Sequence, residues 1–215
     1  MLKRNAFTMV ELIFVIVIIG ILSATAVPKF TGVKEHALGA SELSTASAIS
    51  TALSSIHSTW SMSDGDFDWN NDGVDDDIDH ELSSKGYPYD LARNGDPVGA
   101  LLKGGSKSGF VKQKEGSGNG VRYILYTAKA SDPNRGVKFP TSTPSKDIEG
   151  KPDKNDFWLY VVEANSTNTP CLVSSDRSAD KVITSGDFML IDINNTAPVD
   201  FGNDDLSIGF TLSCS

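Results

Sequence analysis

The chain has 215 residues, with 28 acidic against 19 basic side chains and a formal net charge of −9. That is room for one ordinary domain with an appendage, not for two large domains. An acidic chain with an isoelectric point near 4.7 lacks the basic surface that holds a phosphate backbone, which excludes nucleic acid as the expected partner.

The first element is a short basic leader, Met1–Ala6 with Lys3 and Arg4, followed by the apolar run FTMVELIFVIVIIGILSATAVPKF. Phe7–Val27 is about 20 residues, enough to span a bilayer core as a helix. Its single charged side chain before Lys29 is Glu11, and a carboxylate at membrane depth is costly unless a partner or a function holds it there. One reading makes residues 1–26 a secretory signal peptide, with Ala24-Thr25-Ala26 as the cleavage site. That would release a secreted calcium-binding or enzymatic domain beginning at Val27. A second reading is an uncleaved single-span anchor. In a third, only residues 1–6 are removed and the apolar segment stays.

The run Phe7-Thr8-Met9-Val10-Glu11, continued by Leu12-Ile13 and Val15–Leu22 with Pro28 near its end, resembles the N-terminus of type IV prepilins and type II secretion pseudopilins. The resemblance implies cleavage between Ala6 and Phe7 by a prepilin peptidase and N-methylation of Phe7. Ala6 stands where the family usually has Gly. It further implies that Glu11 pairs with the terminal amine of a neighbouring subunit during assembly. Opposite charges in a low-dielectric bundle attract strongly, and either alone is expensive. The implied partners are other copies or other pilins, the peptidase and an inner-membrane assembly platform. The chain would be a single-pass inner-membrane protein first, then part of a periplasmic or extracellular filament. From the residues alone, Thr8 and Glu11 also fit a capping box at a helix start.

Beyond Pro28 an apolar period of three to four residues runs through Phe30, Val33, Ala37, Ala40, Leu43, Ala46, Ile49, Leu53, Ile56 and Trp60. It predicts one helix from about Phe7 to Thr59, with residues 7–28 apolar all round and 29–60 amphipathic. Gly20 and Pro28 predict a kink or melted turn between them. The expected fold class is α+β and pilin-like, a long N-terminal helix packed on an antiparallel sheet in a head of residues 61–215.

An acidic loop follows at residues 66–81. Asp68, Asn70, Asp72, Asp76 and Asp79 fall at positions 1, 3, 5, 9 and 12 of an EF-hand-like spacing, with Gly73 at the turn and Val74 offering its carbonyl. Calcium takes six to eight oxygens, which this spacing supplies, and extracellular sites of this kind bind at about 0.1–1 mM. The other reading is a solvated Asn/Asp/Gly turn.

The head shows strand-like runs at Gly120–Ala128, Phe157–Glu163, Phe188–Ile193 and Leu206–Leu212, bounded by turn residues. Ser131–Asp156 reads as a long loop, and the glycines at 104–105 and 116–120 read as turns. Cys171 and Cys214 are expected to tie the C-terminus to the body, worth roughly 3–4 kcal/mol for a loop of about 40 residues, or else are two separate buried thiols. His36, His57 and His80 form no triad with a nucleophile and an acid, so no catalytic residue is expected. The resemblance leaves two subtypes open, a subunit of a type IV pilus or of a type II secretion pseudopilus.

Overall fold

The computed structural model describes residues 8–63, 68–69, 81–93, 96–102, 108–128, 156–165, 170–175, 180–191 and 210–214. By internal contacts the chain divides into two units, Met1–Leu38 and Gly39–Ser215, and helix α1, Met9–Met62, contributes its first part to one and its last part to the other.

In the first unit the large apolar side chains from Met9 to Leu22 are 41% to 79% exposed. Met9–Ala26 is long and apolar enough to cross a membrane, with a mean hydropathy of 2.5. The helix does not melt between Gly20 and Pro28. Proline forfeits one backbone hydrogen bond and crowds one carbonyl, and a helix with many turns on either side absorbs that loss locally.

The second unit is built in three layers, and the residue pattern of its central strands explains why. Strands β1 (Phe110–Gly118), β2 (Val121–Ala128), β3 (Phe157–Ala164) and β6 (Phe188–Ile191) form an antiparallel sheet in the order β1-β2-β3-β6. Strands β4 (Cys171–Ser175), β5 (Lys181–Ile183) and β7 (Phe210–Ser213) form a second, in the order β5-β4-β7. On β3 the alternate residues Trp158, Tyr160 and Val162 pack with Ala46, Ile49 and Leu53 of α1. Phe157, Leu159 and Val161 point the other way, onto Cys171, Val173 and Ile183 of the second sheet. A strand covered on both faces needs no polar alternation, which is why FWLYVVEA reads as a nearly continuous apolar run. Each fully buried aliphatic side chain such as Ile49 or Leu53 is worth about 1.5–3 kcal/mol in removed apolar surface.

The structure departs from the sequence reading in three places. The buried stripe of α1 in this unit is Glu42, Ala46, Ile49 and Leu53, and Ala40 and Leu43 face outward. Residues 116–118 belong to β1 and are not a turn. Only Asn119 and Gly120 turn the chain, with φ of 50° and 76°, the left-handed pair of a two-residue type I′ hairpin. And β1, β4 and β5 are strands that the sequence did not announce. The expected strand from Leu206 is described from Phe210 to Ser213, and the expected loop is described only at Asp156, the residues before it lying outside the described ones.

Two tyrosines in the layer under α1 set an alkaline limit. Tyr126 is fully buried, and burial together with the charges of Asp90 and Glu115 pushes its phenol far above the ordinary tyrosine range. Tyr160, whose hydroxyl donates to the Pro88 carbonyl at 2.8 Å, is raised chiefly by burial. Below about pH 10 both folded and unfolded chains keep these protons. Above it the unfolded chain loses them first, so stability falls as pH rises, by at most about 1.4 kcal/mol per pH unit for each tyrosine. The Tyr126 hydroxyl has no hydrogen-bond partner among the described residues. Tyr126→Phe should therefore keep neutral-pH stability and flatten the alkaline loss in urea titrations followed by circular dichroism. An unchanged alkaline slope would show that Tyr126 is not the group responsible.

Candidate functional site

The candidate functional segment is the start of α1. Thr8 is the N-cap and Glu11 the third residue of the helix proper, the spacing of a capping box. The Thr8 N–H and Oγ1 each donate to Glu11 Oε2 at 2.9 Å, and the Glu11 N–H reaches the Thr8 hydroxyl at 3.3 Å. The Leu12 N–H bonds the Thr8 carbonyl at 3.2 Å and closes the first turn. The box satisfies helix-end donors that no intrahelical carbonyl reaches. Both donations fall on one carboxylate oxygen, and among the described residues Oε1 takes none. Glu11 thus has a local role in closing the first turn. Ala6 and Phe7 lie outside the described residues.

Residues 1–27 carry the prokaryotic N-terminal methylation motif. This is the type IV pilin and pseudopilin signature, and it spans the basic leader, Phe7, the capping box and the apolar stretch. No curated protein and no solved structure matches the chain. The signature therefore rests on the N-terminus.

The second unit has a pilin-like α+β layout, α1 against an antiparallel sheet. Its two cysteines are joined, Cys171 to Cys214, across 43 residues. Cys214 is also held by the β1–β2 hairpin, its N–H donating to the Asn119 carbonyl at 2.9 Å. A side chain at Gly120 would run into Cys214, so this turn needs glycine both for its positive φ and for the approach.

Near the C-terminal end of α1 lies a cleft of about 460 Å³ lined by His57, Trp60, Lys85, Tyr87, Pro170 and Ile183. His57 stacks on Tyr87 at 4.6 Å and on Trp60 at 5.7 Å. Tyr87 in turn lies against Gly186, whose φ of 89° and lack of a side chain admit the ring. The serine and threonine hydroxyls lining the cleft are engaged elsewhere: Ser84 with Glu163, Thr184 with Asp187, and Ser185 as acceptor from the Ala164 N–H. None of these bonds joins a hydroxyl to His57.

Of the calcium ligands expected from the sequence, Asp68 is described and half-buried, while Asn70, Asp72, Val74, Asp76 and Asp79 lie outside the described residues. Among the described residues no group of three or more His, Cys, Asp or Glu side chains forms a metal site. Of the histidines, His57 is the one whose side chain the structure describes.

Proposed function

We propose that the chain is a structural subunit of a type IV pilus or type II secretion pseudopilus. In this reading it is processed between Ala6 and Phe7 by a prepilin peptidase, held in the inner membrane by the first part of α1, and then drawn into a helical filament. The single observation that carries the reading is the methylation motif ending in a membrane-length apolar helix, with Glu11 at its start. Large apolar side chains exposed along several turns need a cover, first lipid and then the same segments of neighbouring subunits. In this reading the Glu11 carboxylate pairs with the methylated amine of a neighbour, and the cap uses only its Oε2, which supports a second partner on the same group. The helix face of the second unit fits the same role. From Gly39 to Met62 its one Asp, Glu, Lys or Arg is Glu42, which is buried, and Ser44, Ser47, Thr51, Ser54, Ser55, Ser58 and Thr59 are exposed. A solvent-facing helix ordinarily carries charge, and this one offers a small-residue surface that another subunit can approach closely.

Release by a conventional signal peptidase after Ala26 is the competing reading, and the continuity of α1 through Ala24, Thr25 and Ala26 weighs against it. Intact-mass and N-terminal peptide analysis of the mature protein should find N-methylated Phe7 as the first residue. A chain beginning at Val27 would overturn the proposal.

Calcium is part of the same reading, held by Asp68, Asn70, Asp72, Asp76 and Asp79 with the Val74 carbonyl, in support of the acidic loop. A site of about 0.2 mM affinity in about 2 mM calcium adds about 1.4 kcal/mol to stability. Chelation should therefore lower the melting temperature by a few degrees, and a melting curve identical with and without chelator would remove calcium from the account.

A further inference from the structure

The two exposed residues of the β1–β2 turn, Asn119 and Gly120, form an Asn-Gly pair. Such a pair is open to cyclisation, because glycine has no side chain to shield its nitrogen from the asparagine amide. The Gly120 nitrogen attacks Asn119 Cγ, the Cγ–Nδ2 bond breaks, and ammonia leaves with the proton given up by the Gly120 N–H. Water then opens the five-membered imide at either carbonyl, to aspartate or to isoaspartate. Two groups must move for that ring to close, and the structure holds both. An ideal type I′ turn has ψ of about 30° at its first central residue, which sets the next nitrogen far from Cβ, so the Asn119–Gly120 peptide plane must swing by roughly 150°. That plane carries the Asn119 carbonyl, which accepts the Cys214 N–H at 2.9 Å. Asn119 Nδ2, the atom that would depart, donates to the Leu212 carbonyl at 3.2 Å. From the other side the Gly120 carbonyl accepts the Asn165 N–H at 2.9 Å. Leu212 lies within β7, opposite Val173, but Cys214 is one residue past the last ladder pair, Ser213 with Leu172. Its seat against the turn is therefore set by the bond to Cys171.

We infer that Asn119 is a latent deamidation site, locked by Cys214 while the Cys171–Cys214 disulfide is closed and released when it opens. Reduction frees Cys214 from the turn, the Asn119–Gly120 plane can then rotate, and the ring closes. The change runs one way. Aspartate sets a carboxylate against the Leu212 carbonyl, where a donor stood before. Isoaspartate adds a methylene to the backbone of a two-residue turn that joins Gly118 to its partner Val121. Neither product restores the seat of Cys214, so a chain that has lost its disulfide is marked permanently at a position far from either cysteine's neighbours in sequence.

The wild-type, full-length chain in detergent tests this, incubated in mildly alkaline buffer and followed by peptide mass spectrometry, with an isoaspartyl methyltransferase to label isoaspartate. Aspartate and isoaspartate should appear together at position 119, as opening of a cyclic imide requires. The oxidised chain should deamidate there at least about tenfold more slowly than the same chain unfolded in urea, the factor expected when two ordinary hydrogen bonds must break before the ring closes. This comparison needs no reduced state. A second arm keeps the folded chain reduced with a phosphine, which becomes phosphine oxide with oxygen from water as the disulfide becomes two thiols. Asn119 should then lose most of its protection, while Asn94-Gly95, the other Asn-Gly pair of the chain, should keep its rate. Equal rates at Asn119 in the oxidised and the unfolded chain would overturn the lock. So would an unchanged rate on reduction, a rise matched at Asn94, or a rise that comes with loss of the strand signal in circular dichroism.

Discussion

Glu11→Ala is expected to leave the chain inserted in the membrane and to abolish filament assembly, read as a membrane-fraction signal of normal strength with no filaments in sheared material or by electron microscopy. Insertion depends on the apolar content of Met9–Ala26, which the substitution does not lower. Assembly, in the proposed reading, needs a carboxylate opposite the methylated amine of a neighbour, and alanine leaves that amine uncompensated in a low-dielectric core. The difficulty is that Glu11 also closes the capping box with Thr8. Loss of a cap costs about 1 kcal/mol of helix stability, too little to undo a membrane-length helix but enough to confuse the result. Thr8→Ala separates the roles, because it removes the capping hydroxyl and keeps the carboxylate. Filaments from Thr8→Ala and none from Glu11→Ala would assign the effect to the charge. Equal loss from both would assign it to the cap, and normal filaments from Glu11→Ala would sink the assembly role.

The N-terminal half was legible because its signals are local. A capping pair three residues apart and a long apolar run identify a helix start and a span without reference to anything distant. The central strands β2 and β3 were legible as strands because β-branched and aromatic residues crowd them, yet their nearly continuous apolar character carried a further message, a second sheet on the far face. β1 was hidden because an edge strand is polar by need. Lys112, Lys114 and Glu115 guard its open side, with a bulge between Lys112 and Lys114 and Lys112 paired to Asp90 at 3.0 Å. β4 and β5 are three to five residues long, too short for any period to register. In the second unit the helix register failed at Ala40 and Leu43, both exposed, and at Leu43 the reason is chemical. Counting apolar positions put Leu43 inward, whereas the structure places Glu42 there, because an indole 116 residues away needs an acceptor.

That pair supports the largest stability effect expected in the second unit. Glu42 is 3% exposed and its Oε1 accepts from Trp158 Nε1 at 2.7 Å, while the Trp158 ring stacks on Phe188 at 5.5 Å and meets Phe110 edge-on at 6.0 Å. The ring cannot turn its N–H toward water without leaving that stack. Glu42→Ala therefore strands a buried donor and opens a void beside Ala46 and Ile49, a loss of about 3 kcal/mol when the two terms are taken together. Glu42→Gln retains an acceptor oxygen and should lose only the charge-assisted part, about 1 kcal/mol. Glu42→Leu fills the space but leaves the N–H unmet, so it should fall between the two; pairing it with Trp158→Phe removes donor and acceptor together and should recover much of the loss. Urea unfolding followed by circular dichroism on the detergent-solubilised chain measures all four. If Glu42→Ala unfolds at the wild-type midpoint, the buried carboxylate does not hold α1 on its sheet, and the inward turn of Glu42 has another cause.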